Sequence, residues 1–150
     1  MEFFKHLIAR HYSDKIEIHV LAAGGDDARA KHQVTAVEDL LATVDRRPIY
    51  RNKLAILFDQ PDGENKTRRF ENFKASSRHR HLDAGGQLFV LPVHGLEEYY
   101  PTALRSSCSD TNKVRMARYM GLNITKEDFE THMPVMFEAL KHCWANAYQD

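Results

Sequence analysis

The chain has 150 residues, with Lys plus Arg equal to Asp plus Glu at 21 each and a formal net charge of zero. That length suits one domain with its own core, and the balanced charge excludes bulk attraction to nucleic acid or membrane, leaving only local patches. Two cysteines exclude a disulfide framework, and no run of about 18 apolar residues or apolar N-terminal signal region is present, so a cytoplasmic protein with free thiols and no membrane partner is expected.

In chain order, MEFFKHLIARHY (1–12) places Phe3, Phe4, Leu7, Ile8 and Tyr12 at helical spacing. IEIHVLA (16–22) alternates apolar and polar residues and reads as a strand. Gly24-Gly25 ends it, and Asp26-Asp27 can cap the next element. Residues 32–44 form an amphipathic pattern with Val34, Val37, Leu40, Leu41 and Val44 inward. The run LAILF (54–58) is apolar on both faces, as in a strand covered on both sides of a parallel sheet. It ends in Asp59, with Asp62 and Gly63 close behind. A helix fits residues 65–77, around Phe70 and Phe73. QLFVLP (87–92) is a third strand, followed by Val93-His94-Gly95 and then Leu96-Glu97-Glu98-Tyr99-Tyr100-Pro101.

Beyond Pro101 the chain turns helical. Ser109 or Asp110 is expected to cap a helix through Tyr119 with Gly121 as its C-cap. Thr125 with Asp128 has the spacing of a capping box, and Pro134 predicts a kink or break near His132-Met133. Met136, Phe137, Leu140, Cys143, Trp144 and Ala147 make one apolar stripe, read as core or as a dimer surface. The alternation of helices and strands predicts a single α/β domain over 1–150: a small, mostly parallel sheet flanked by helices, with a helical tail over about 105–150.

Parallel strands deliver their carboxyl ends to one edge, where ligands bind in open α/β sheets. The second strand brings Asp59 and Asp62 there, and the third brings His94, Glu97 and Glu98. Several carboxylates at one edge suit Mg²⁺, which takes hard oxygen ligands, keeps several waters and accepts phosphate as co-ligand. Acids in strand-end loops also cap helices and make turns.

AILFDQPDG and LPVHGLEEYYP, with the element order around them, resemble the Toprim domain of OLD-family (overcoming lysogenization defect) ATP-dependent endonucleases, which include phage-defence nucleases. MEFFKHLIARHY is similar to the helix after that family's first strand. The resemblance covers most of residues 1–140. It implies Mg²⁺- or Mn²⁺-dependent cleavage of DNA, with an ATPase domain or partner chain. It makes Asp59 the first acid of the DxD motif and Glu97 the metal-binding Glu of the third motif, with Asp62 assisting. Lys113 takes the place of a lysine that stabilises charge on phosphate. The chain departs from that family in two ways. Pro61 occupies the second DxD position, and the family's first strand, ending in Glu-Gly, has no counterpart here. The chain is therefore expected to be a piece of a longer protein or a reduced relative, with impaired catalysis. The second expectation is a non-catalytic, homodimeric module of Toprim origin that binds protein or nucleic acid.

Arg68, Arg69, Arg78 and Arg80, with Lys74, form a basic cluster suited to a phosphate backbone, or simply a solvated face. His79 and His81 lack zinc-site spacing. Cys108 has no motif partner, and Cys143 is expected in the core. Gly24-Gly25-Asp26-Asp27 fits no nucleotide-binding loop.

Overall fold

A computed structural model describes residues 2–15, 20, 55–79 and 86–145 of the chain. The strand expected over 16–22, the turn at 24–27 and the helix over 32–44 lie outside the described residues, apart from Val20. The described elements are α1 (Glu2–His11), β1 (Ile56–Phe58), α2 (Glu64–His79), β2 (Leu88–Val90), α3 (Leu96–Tyr99), α4 (Thr102–Ser106), α5 (Lys113–Asn123), α6 (Lys126–His132) and α7 (Pro134–Ala145). They are mostly helical around a small parallel sheet.

β1 and β2 pair in parallel, with Ile56 opposite Leu88, Leu57 opposite Phe89 and Phe58 opposite Val90. Alternation across the pleat separates the two faces. Phe58 turns to α2, where its ring meets Phe70 at 5.3 Å and Phe73 at 4.9 Å, both edge-on. Leu57 turns the other way and packs on the main core. Its neighbour Phe89 meets the His142 ring of α7 at 5.9 Å. Helices thus cover both faces, which is why these strands read as continuous apolar runs rather than alternating ones. The chain leaves β1 through Gly63, whose φ of +80° lies in the left-handed region. Only glycine takes that conformation at no steric cost.

The core is built chiefly by the helices. Phe3 and Leu7 of α1, Tyr12 just beyond it, Met120, Ile124, Phe129, Met133, Met136 and Leu140 are buried, joined by Leu91 and Tyr100. Tyr12 stacks on Trp144 at 5.2 Å and donates its hydroxyl to Glu130 Oε1 at 2.9 Å. Burial, and then the Glu130 carboxylate, push its pKa well up. The described part of the tail stripe packs into the core: Met136 and Leu140 are buried, while Phe137 and Trp144 pack against the cluster, and Ala147 lies outside the described residues. Cys143 is half-buried, and burial raises its thiol pKa.

The helix expected to start at Ser109 or Asp110 starts at Lys113, because Asp110 is otherwise engaged. Its Oδ1 accepts the Asn112 N–H at 2.9 Å and its Oδ2 pairs with Arg115 Nε at 3.0 Å. Asn112 then caps α5, its Oδ1 accepting from Val114 and Arg115 N–H. Thr125 caps α6 as expected, accepting the Asp128 N–H at 3.0 Å and donating to Asp128 Oδ2 at 2.7 Å. The break at Pro134 also occurs: α6 ends at His132, and Pro134 opens α7, where its missing N–H costs nothing.

Gly121 differs from expectation. It is not a C-cap, for α5 runs on to Asn123 and Ile124 is the cap. Gly121 is buried where α1 crosses. A Cβ there would stand 2.5 Å from the Phe3 carbonyl oxygen and 3.1 Å from His6 Cβ. The missing side chain lets two helix backbones meet. Beyond that contact, His11 Nε2 donates to the Ile124 carbonyl at 2.9 Å and Arg10 reaches it at 3.3 Å, satisfying the end of α5.

Gly121→Ala should therefore cost about 1–3 kcal/mol through overpacking. Urea unfolding would read this as a lower midpoint with an unchanged slope, and an unchanged midpoint would show that α1 and α5 part without cost.

Candidate metal and phosphate site

β1 and β2 end side by side, and the hydrogen bonding continues past them. Leu91 N–H bonds the Phe58 carbonyl at 2.8 Å, and Gln60 N–H bonds the Val93 carbonyl at 2.8 Å. His94 Nδ1 lies 3.1 Å from the Gln60 carbonyl. These bonds hold the loop carrying Asp59 against the loop leading to Glu97.

Gly95 stands at the N-terminus of α3 and offers no capping side chain. Glu97 folds back instead: a Cβ on Gly95 would lie 3.0–3.1 Å from the Glu97 carboxyl atoms. The carboxylate forms an ion pair with Lys113, the first residue of α5. The Lys113 ammonium, then the backbone N–H of Glu97 itself, hold its pKa below the usual carboxylate range, with Arg105 adding a smaller pull. The same pairing raises the Lys113 pKa. The Lys113 side chain is 77% exposed, so the pair is accessible to solvent and exchangeable.

Asp59 behaves in the opposite sense. Its pKa is raised, first by desolvation and then by the Glu97 carboxylate, with Glu98 adding to it. Lys113 and Lys66 oppose that rise. Asp59, Glu97, Glu98, Lys66 and Lys113 therefore share one electrostatic neighbourhood at the carboxyl edge of the sheet. A desolvated carboxylate perturbed by a like charge, with cations beside it, marks a candidate functional site.

An open pocket of about 400 Å³ adjoins it, lined by Glu2, Leu96, Glu97, Tyr100, Lys113, Val114 and Ala117. Asp59 is not among its walls. Glu2 comes from the start of α1 and pairs with His6 at 3.5 Å. Burial, followed by Glu97, raises the Tyr100 pKa.

The sequence-derived residues thus divide. Asp59, Glu97 and Lys113 are brought together. Asp62 is exposed in the loop before α2. Among the described residues, no three His, Cys, Asp or Glu side chains gather closely enough to share a metal ion. The donor set at hand is two carboxylates with hard oxygens, which fits an ion that keeps most of its waters and takes phosphate as a further ligand. Arg68 and Arg69 are exposed on α2, Arg68 reaching Asn65 Oδ1 at 3.4 Å. Lys74 pairs with Glu71 at 3.5 Å and sits over the Phe70 ring. Arg80 and the side chain of Arg78 lie outside the described residues. Among these residues no helix is long and apolar enough to cross a membrane.

Two neighbours escaped the sequence reading. Lys66 had a signal, since a helix opening at Glu64 returns its first turn toward the strand end. Glu2 had none, because α1 meets α5 only through tertiary packing.

Compared with known proteins, the chain matches no protein-family model, no curated protein and no solved structure.

The charge arrangement has a measurable consequence. A raised folded-state pKa means that ionising Asp59 opposes folding above that pKa, whereas below the ordinary value of 3.8 both states are protonated and the effect is gone. Asp59→Asn should therefore melt higher than wild type at pH 7, with the gain fading as the pH falls toward 3.8. In carbon-detected NMR titrations, Glu97→Gln should lower the Asp59 pKa and Lys113→Met should raise it. An Asp59 titration indifferent to both substitutions would dissolve the proposed neighbourhood.

Proposed function

We propose that this chain is a Toprim-like α/β domain related to OLD-family endonucleases, carrying a weakened divalent-metal site for phosphodiester cleavage. The reading rests on one observation above the others. Adjacent parallel strands deliver Asp59 and, through α3, Glu97 to the same edge, near enough for Glu97 to oppose the ionisation of Asp59, with the Lys113 ammonium on Glu97. The motifs AILFDQPDG and LPVHGLEEYYP supply the kinship.

Asp59 and Glu97 would hold Mg²⁺ or Mn²⁺, which when bound supplies Lewis-acid stabilisation of charge on a phosphate oxygen. Lys113 is the mobile partner. Its exposed ammonium neutralises Glu97 in the free protein and can turn to an anionic phosphate oxygen, where it offsets charge that grows as water attacks phosphorus and the P–O ester bond breaks. Asp62 assists from the loop, one residue beyond the position that Pro61 occupies. Arg68 and Arg69, on the exposed face of α2, supply backbone contacts to DNA that position without reading sequence.

A specific observation favours a second reading, a non-catalytic module that binds protein or nucleic acid. Lys113 already satisfies Glu97, and among the described residues Asp59 has Glu97 as its acidic neighbour, with a weaker influence from Glu98. A cation built into the site does the neutralising that a metal would otherwise do.

Plasmid nicking separates the two. Wild-type protein should nick supercoiled DNA slowly with Mg²⁺ or Mn²⁺, and Asp59→Asn should reduce this to background. Lys113→Met should slow the reaction about 100-fold, the scale for losing one group that stabilises transition-state charge. Nicking of equal rate in wild type and Asp59→Asn would mean a contaminating nuclease and would sink the assignment.

A further inference from the structure

We infer that His94 is a positioning residue, a clip that fixes the Asp59 loop against the Glu97 loop. The inference rests on the metal-site reading for its purpose, but its geometry stands by itself.

The register of the sheet shows why a clip is needed. Ile56 pairs with Leu88 and Phe58 with Val90. Continued regularly, a parallel ladder would send the Gln60 N–H to the carbonyl of Leu91. It goes instead to Val93, two residues farther on. Past the strand ends the ladder falls out of register, with two extra residues on the β2 side before Val93, although Leu91 itself stays paired and buried. The shift takes the segment leading from β2 to Glu97 out of the regular ladder. It also removes the backbone donor that would otherwise serve the Gln60 carbonyl. The His94 imidazole takes that place, reaching across 34 positions of sequence to the Gln60 carbonyl at 3.1 Å.

Gln60 is thus gripped twice by consecutive residues, its N–H by Val93 and its carbonyl by His94. On the other side of Asp59, the Phe58 carbonyl accepts the Leu91 N–H. Asp59 is the single residue between these anchors, so its backbone is held from both directions. A carbonyl only accepts, which requires the proton on Nδ1 and leaves Nε2 as the bare nitrogen of the neutral ring. Supporting groups of this kind orient metal-binding side chains.

Three measurements test the clip. Long-range proton–nitrogen NMR at alkaline pH should show the Nδ1–H tautomer for His94. His94→Ala should speed exchange of the Gln60 amide several-fold while the Met120 and Ile124 amides and the melting temperature stay unchanged. His94→Asn should restore protection, because its side-chain N–H₂ can donate from nearly the same place. In the nicking assay, His94→Ala should lower kcat about tenfold, as for the loss of a supporting group, leave KM for plasmid unchanged, and be rescued by His94→Asn. An Nε2–H tautomer, or Gln60 exchange unaffected by His94→Ala, overturns the clip. Asp59-dependent nicking with an unchanged kcat in His94→Ala overturns its positioning role alone. Wild-type protein that carries the tautomer and the protected Gln60 amide but nicks nothing upholds the clip and overturns the nuclease reading instead.

Discussion

The parallel pairing of β1 with β2 is the constraint on which the candidate site depends. Three residue pairs set the register, and a parallel register brings both strand ends to the same edge. An antiparallel pair would have put Asp59 and the His94–Glu97 segment at opposite ends of the sheet. Covering helices make the pairing worthwhile. Phe70 and Phe73 close one face over Phe58, while α7 closes the other beneath Leu57 and Phe89. Burial of these rings on both sides, rather than the few ladder hydrogen bonds, holds so short a sheet together.

The helical body does a different job. Gly121 lets α1 lie directly on α5, and this contact carries Glu2 to the same pocket as Lys113 and Glu97. Phe3, Leu7 and Tyr12 then enter the core as one side of α1, and Tyr12 is locked by Trp144 above it and Glu130 at its hydroxyl. α5 therefore serves two ends of the molecule. Its N-terminus, capped by Asn112, presents Lys113 to the sheet edge, while its C-terminus is satisfied by Arg10 and His11 of α1.

The electrostatics of the edge are unequal, and the inequality has a physical origin. Glu97 has a lysine on its carboxylate and its own N–H beneath it, so it is held ionised. Asp59 has less compensation, lies beside that negative charge and is partly desolvated, so its ionisation is opposed. Two carboxylates pushed in opposite directions are a common preparation for acid–base or metal chemistry. Here Gln60 and Pro61 follow Asp59, and no third donor joins among the described residues. The edge thus offers two carboxylates of unlike ionisation, with a lysine paired to one of them.

Much of this was legible in local sequence. An apolar run that stops abruptly at an acid, as LAILF stops at Asp59, marks a buried strand delivering a carboxylate to an edge, because burial and its end are both recorded in neighbouring residues. The same holds for Thr125 at its cap and Pro134 at its helix break, where one backbone bond decides the outcome. Gly121 shows the limit. A glycine near a helix end carries the same local signal whether it caps the helix or receives another backbone, and only the arrival of the Phe3 carbonyl decides between them. Likewise Asp59, Glu97 and Lys113 could each be named from the sequence, but their ion pairing and opposed pKa shifts depend on distances across strands and helices. The sequence by itself determined which side chains are available to the edge and which surfaces must be buried. The tertiary structure alone decided which charges face each other, because Coulomb interactions depend on separation in space and not on separation along the chain.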